Sequence, residues 1–372
     1  RAIRQIKRVA LFLLMGFATL VALATPRRLL ASGVRRRIVS CLRPNRILDI
    51  EFRASGRSAL GSALKAIARV APHSKVLIPD YACNILYEAV KRQDLIPVAY
   101  ETSTEFEPNL PSILGQLHNT AFSTIILASL YGATNSRRSI VKPISECRPD
   151  MFLLLDECQG LHLRMNTFIT NRSVVILSFG FKTVLGAMGG AVCMPEGLLD
   201  LDSVTLSGRE TLKREYMTLR QFRVEWRKQR RWRGLYATPP ALGAKEPPVE
   251  FSYCQAPPFR LGPAPISKAS LMTAWWGLLR MRTREKVRCS NTTRLLALFA
   301  AKPELGTPIL TPSITKSPFI AFRRGPEPMW TWAPVRGPYA SPYDDCSSDR
   351  PHNFAVINSG LVDMDWLSEY QS

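Results

Sequence analysis

Between Ile47 and Phe179, short apolar segments with strand character recur, and segments of helical spacing separate them. The strand-like segments are Ile47–Phe52, Lys75–Pro79, Leu95–Tyr100, Thr124–Ser129, Met151–Asp156 and Ser173–Phe179. Helical spacing falls between them at Ala59–Val70, Ala82–Lys91 and Leu110–Leu117. Most of these strands are continuously apolar. A strand with one wet face alternates, whereas one covered by crossover helices has no polar side, so the pattern predicts an α/β fold with a mainly parallel sheet buried on both faces. A chain of 372 residues, 46% of them hydrophobic, has the material for such a core and for a smaller second domain.

The flanks of this region read differently. Val9–Thr25 is an apolar run of 17 residues with Arg4, Lys7 and Arg8 before it and Arg27 and Arg28 after it. A membrane span usually takes roughly 20 apolar residues, so the run sits at the short limit for one and equally suits an interfacial or buried helix. Pro26–Pro44 is rich in arginine and reads as a connector crossing the surface. Beyond Pro195, Arg209–Arg233 is basic with interleaved aromatics, which reads as a solvated helix with a few packed rings. Tyr236–Pro265 is a proline-rich linker, and Ile266–Phe299 has the periodicity of one long helix. Weak strand signals follow at Phe319–Phe322 and Phe354–Ile357.

Lysine and arginine outnumber aspartate and glutamate by 50 to 29, a formal charge of +21, which favours phosphorylated ligands, nucleic acid or an anionic membrane surface. No nucleic-acid-binding motif accompanies the charge, so nucleic acid is not an expected partner. The eight cysteines are scattered without a C-x-x-C pair or a histidine pair at zinc spacing. Reduced thiols in a cytosolic protein and no metal site are the expectation.

The stretch Leu153–Ala191 concentrates the chemistry. An apolar run ends in Asp156, a second ends in Ser178 and Lys182, and Gly189-Gly190 follows. Pyridoxal phosphate needs a carboxylate for its ring nitrogen, an amine for its aldehyde, and a hydroxyl with backbone N–H groups for its phosphate. Asp156, Lys182 and Ser178 supply these types in one segment. Gln159 is placed to reach the ring, and the turn Ser55-Gly56-Arg57-Ser58, between a strand and a helix, is placed to bind phosphate at a helix N-terminus. Each feature has a plainer meaning: a solvated loop lysine, an aspartate at a strand end, a polar first-turn residue, an ordinary glycine turn.

With these residues in place, Ile47–Met194 resembles the DegT/DnrJ/EryC1/StrS family of pyridoxal phosphate-dependent sugar aminotransferases, which have the aspartate aminotransferase-like architecture, fold type I. SGRSALGSAL resembles the family's SGTAAL or SGRAAL phosphate turn, ASLYG its HLYG, DECQG its EDAAQ, and LSFGFKTVLGAMGGAV its FSF…K…GGAV segment, all in the family's order. The resemblance implies that Lys182 is the Schiff-base lysine and Asp156 the partner of the ring nitrogen, with Lys182 and Asp156 catalytic. It implies that Gly56, Arg57, Ser58, Gln159 and Ser178 line the cofactor, and that the protein is a homodimer. The implied reaction is amino transfer from glutamate or a similar donor to a nucleotide-linked keto sugar, in glycan or secondary-metabolite assembly. The expected division is 1–45 as hydrophobic helix and basic connector, 46–235 as cofactor-binding large domain, 236–265 as linker, and 266–372 as C-terminal helix and small α/β domain. The expected place is the cytoplasm, with residues 9–25 as a candidate attachment to the membrane. Lys182 lies four residues after Ser178 where the commonest family pattern has five. That spacing favours a second reading, a catalytically degenerate, membrane-associated relative that acts as a scaffold or binding protein.

Overall fold

The computed structural model describes residues 25–103, 105–118, 121–163, 165–180, 188–203, 207–220, 264–301, 303, 306–310, 319–324 and 354–358. Its chain order is α1 (Arg27–Leu42), β1 (Asp49–Arg53), α2 (Gly56–Val70), β2 (Lys75–Pro79), α3 (Asn84–Lys91), β3 (Ile96–Tyr100), α4 (Leu110–Leu117) and β4 (Phe122–Ala128). Then come α5 (Arg138–Cys147), β5 (Phe152–Asp156), β6 (Ser173–Ser178), β7 (Gly190–Met194), α6 (Lys268–Leu279), α7 (Met281–Ala301), β8 (Gly306–Pro308), β9 (Phe319–Arg324) and β10 (Phe354–Asn358).

Strands β1 to β7 form one sheet in the order β1-β7-β6-β5-β4-β2-β3. Strands β2 to β6 pair in parallel, and β7 runs antiparallel to both its neighbours, β6 and β1. The expectation of a mainly parallel sheet is met. The middles of its central strands β5 and β6, and β4 from Ile125 on, are apolar because both faces are covered. In β4, β5 and β6, Ile125, Leu127, Leu153, Leu155, Val175 and Leu177 face one core cluster, and the alternate residues, among them Ile126, Leu154 and Ile176, face the other. Helices α1, α4, α5 and α6 cover the first face, and α2 and α3 cover the second, giving a three-layer sandwich.

Two readings of the flanks change. The arginine-rich connector after Pro26 is the helix α1, whose Leu30, Val34, Ile38 and Leu42 lie four residues apart on one buried stripe. Burying each such side chain is worth roughly 1.5–3 kcal/mol, enough for this stripe to outweigh a polar composition. The long helix expected over Ile266–Phe299 is two helices, α6 and α7, meeting at Arg280, whose backbone (φ −87°, ψ 2°) leaves the helical range. Both halves keep a helical repeat, so periodicity alone does not register the break. Ser267 caps α6 by accepting from Ser270 N (3.0 Å), and the buried Glu215 carboxylate accepts from Lys268 N and Ala269 N at the same terminus.

Strands β8, β9 and β10 form a separate antiparallel sheet in the order β10-β9-β8, so the weak strand signals near Phe319 and Phe354 are strands. Among the described residues no helix is long and apolar enough to cross a membrane. Residues 1–24, which hold most of the apolar run from Val9, lie outside them.

Candidate active site

The carboxyl ends of β1, β5 and β6 and the amino end of β7 meet at one edge of the sheet, where open α/β sheets place their ligands. Four elements deliver residues there. Asp156 ends β5, held from both sides: its carbonyl accepts from Ser129 N (3.0 Å), and the next residue, Glu157, donates its N–H to Ile176 O (2.9 Å). Ser178 ends β6 opposite Gly190 of β7. Ser55, just past β1, bridges to Gly189 and caps α2 by accepting from Ser58 N (3.1 Å). The positive end of the α2 dipole therefore sits beside Ser178.

Two glycines allow this convergence. A Cβ on Gly56 would lie 2.7 Å from Ser178 Cβ and 3.1 Å from Cys158 Sγ. A Cβ on Gly190 would lie 2.6 Å from the backbone of Ser55 and Gly56. The backbone of α2's first turn is thus pressed against β6 and β7, with no room for a side chain. Gly189 is a second kind of requirement, at φ +110° and with Ile266 Cδ1 2.6 Å from where its Cβ would be.

Asp156 is half-buried. Burial pushes its carboxyl up from the ordinary value, and hydrogen bonds from the Cys158 thiol and from the Cys158 N–H, which donates to Oδ1 at 3.0 Å, partly offset this. A carboxylate whose charge is costly in this way gains more than an exposed one from a cationic partner. Gln159 lies at the same edge with its Oε1 accepting from Tyr131 N (3.5 Å). Arg57 is half-buried in the first turn of α2.

Ser58 is placed differently. Its side chain is 1% exposed and its hydroxyl accepts from Ala264 N (3.2 Å), so it ties the segment before α6 to the helix end. Lys182, with residues 181–187, lies outside the described residues. Among the described residues no group of three metal-ligating side chains occurs.

Several neighbours of the site carry no sequence signal of their own. Cys158 packs against Gly56, and burial, with the Asp156 carboxylate next in effect, pushes its thiol well up, so it stays protonated. Glu157 points into the protein and is fully buried. Its Oε1 accepts from Ser129 Oγ (2.8 Å), and burial pushes its carboxyl up to about 7, partly offset by the hydroxyls of Ser136 and Ser129. The segment 264–266 reaches the site through Ala54 N donating to Ala264 O (2.8 Å) and through Ile266 against Gly189. Only the fold brings it there.

The donor set and the close backbone fit pyridoxal phosphate: an acid for a ring nitrogen, a hydroxyl, and a helix N-terminus approached through glycines. Aspartate aminotransferase of subgroup IV from Thermus thermophilus is similar over 95% of this chain and 96% of its own, at 13% identity and a TM-score of 0.56, and the architecture is that of fold type I. Among the solved structures that match, a DegT DnrJ EryC1 StrS aminotransferase from Brucella abortus has a TM-score of 0.63 at 12% identity, covering 98% of this chain and 95% of its own. DesV from S. venezuelae, solved in complex with a ketimine intermediate, has a TM-score of 0.62 at 15% identity, covering 98% and 94%. No protein-family model matches the sequence, and no curated protein matches it.

Proposed function

We propose that the protein is a pyridoxal phosphate-dependent aminotransferase that moves an amino group from an amino acid such as glutamate to a nucleotide-linked keto sugar. The observation that carries this reading is the meeting of Asp156, Ser178 and the N-terminus of α2 at one edge of the sheet. The order of motifs along the chain and the similarity in fold to sugar aminotransferases support it.

Pyridoxal phosphate, when bound, supplies the aldehyde that carries the amino group and the ring that withdraws electrons from the reacting carbon. In this reading the Asp156 carboxylate accepts the ring N–H and keeps that proton in place. Ser178 Oγ, with the backbone of Gly56 and Arg57, holds the phosphate, and Gln159 stands beside the ring. Ser58 serves from behind by fixing the segment before α6. Lys182 is the residue that would hold the cofactor's aldehyde, and its amine would move a proton to and from the amino-acid carbon. Residues 46–235, with α1 and α6 packed on the same sheet, would form the cofactor-binding part, and the working unit would be a homodimer.

The test is incubation with the cofactor, glutamate and a panel of nucleotide-linked keto sugars. A sugar whose ketone is replaced by an amine, with an equal amount of 2-oxoglutarate released, supports the proposal. Release of neither product across the panel, in protein that binds the cofactor, counts against the assigned substrates.

A further inference from the structure

The first acidic residue in the chain is Asp49; before it stand eleven lysines and arginines and the apolar run from Val9 to Thr25. Seven of those cations, Arg27 to Arg46, follow the run, and five of them lie on α1. The helix is fixed to the domain by one face, Leu30, Val34, Ile38, Cys41 and Leu42, which packs into the core with α6. Two arginines turn inward, Arg27 to Ile266 O (3.2 Å) and Arg35 to Ile50 O (2.9 Å). The opposite face is exposed. At 100° per residue, Arg28, Leu29, Arg36 and Val39, with Arg43 at the C-terminal cap, fall within an arc of about 100°. Leu29 is 64% exposed and Val39 37% exposed within that arc.

We propose that this face of α1 docks on an anionic phospholipid surface. Its chemistry is that of a membrane contact: cations for lipid headgroups, with isolated apolar side chains between them to enter the interface. Its place in the chain selects the occupant. The helix follows directly on an apolar run at the short limit for a span, and a single weak apolar anchor holds stably only when a second, basic signal accompanies it. Because α1 is packed rigidly against the sheet, docking fixes the orientation of the whole α/β domain on the surface. The inference does not depend on the enzymatic reading.

The experiment uses the full chain and two vesicle preparations, phosphatidylcholine alone and phosphatidylcholine with phosphatidylserine in equal parts. Each basic residue at an anionic surface is worth about fivefold in partitioning. Wild type is expected to prefer the anionic vesicles, and Arg28→Gln/Arg36→Gln/Arg43→Asn to lose about a hundredfold of that affinity while melting at the wild-type temperature. A second variant, Lys91→Gln/Arg92→Gln/Lys142→Gln, removes three exposed cations elsewhere and is expected to keep the preference. Equal binding to both vesicles, or equal loss in the two variants, overturns the proposal. So does tighter binding to a short DNA duplex than to the anionic vesicles, lost with the α1 variant, since that assigns the face to nucleic acid.

Discussion

Gly56 and Ser178, from segments 122 residues apart in sequence, approach so closely that a Cβ on the glycine would stand 2.7 Å from the serine Cβ. The contact seats the N-terminus of α2 on the end of β6 and so builds the corner of the candidate site where the cofactor phosphate is proposed to bind. Gly56→Ala must push α2 away from β6 or displace Ser178, since neither contacting atom is the free end of a long side chain. Overpacking of this kind typically costs about 1–3 kcal/mol. The unfolding free energy is expected to fall by that amount and pyridoxal phosphate affinity to fall with it. An alanine variant of wild-type stability and affinity would contradict the packing described.

Asp156 offers a test of charge at fixed shape. Asp156→Asn keeps the side-chain volume and removes the charge that the cationic ring nitrogen needs. A charge-assisted hydrogen bond is worth about 1.5–3 kcal/mol, so cofactor affinity by equilibrium dialysis is expected to fall roughly ten- to a hundredfold. Unchanged affinity would remove Asp156 from the role proposed.

Glu157 makes stability depend on pH. Its carboxyl is raised by burial from 4.5 to about 7, so between those values the folded protein holds a proton that the unfolded chain has lost. Stability from this group is therefore full below about 4.5 and declines as pH rises towards 7, by on the order of 3 kcal/mol. Burial raises Asp156 too, which adds a slope of the same sign. In urea denaturation at pH 5 and pH 8, wild type is expected to lose more stability than Glu157→Gln. Identical slopes would mean that the carboxyl is not the source.

The packing of α1 is tested by two adjacent residues. Ile38 is fully buried in the core cluster and Val39 is 37% exposed. Ile38→Ala is expected to cost about 2–5 kcal/mol and Val39→Ala within about 0.5 kcal/mol. Equal effects would show α1 lying on the surface as a connector.

The uneven legibility of the fold has physical causes. In β5 and β6 every residue but the ends is apolar, and so is β4 from Ile125 on, because alternate side chains enter two different cores, and that signal survives in the sequence unaided. In α1 the stripe Leu30, Val34, Ile38 and Leu42 is equally regular, but five arginines on the other faces dominate the composition. Helix α5 carries Pro143 within it and only three fully buried residues, so little marked it as a helix. Asp156, Ser178 and Gly56 stood out because each ends an apolar run or opens a helix. The segment 264–266 joins the site through tertiary approach alone, which no local pattern encodes. Ser58 sits in the first turn of α2, and its hydroxyl accepts from Ala264 N, a partner that its place in the sequence does not reveal.

The central claim is that this edge of the sheet holds pyridoxal phosphate on Lys182. The direct measurement mixes purified protein with the cofactor, reduces with borohydride and maps the adduct by peptide mass, beside Lys182→Ala. A single cofactor adduct on Lys182, absent from the well-folded variant, is the result predicted. Folded wild type that takes up no cofactor, or takes it up equally on other lysines in the variant, would contradict the account.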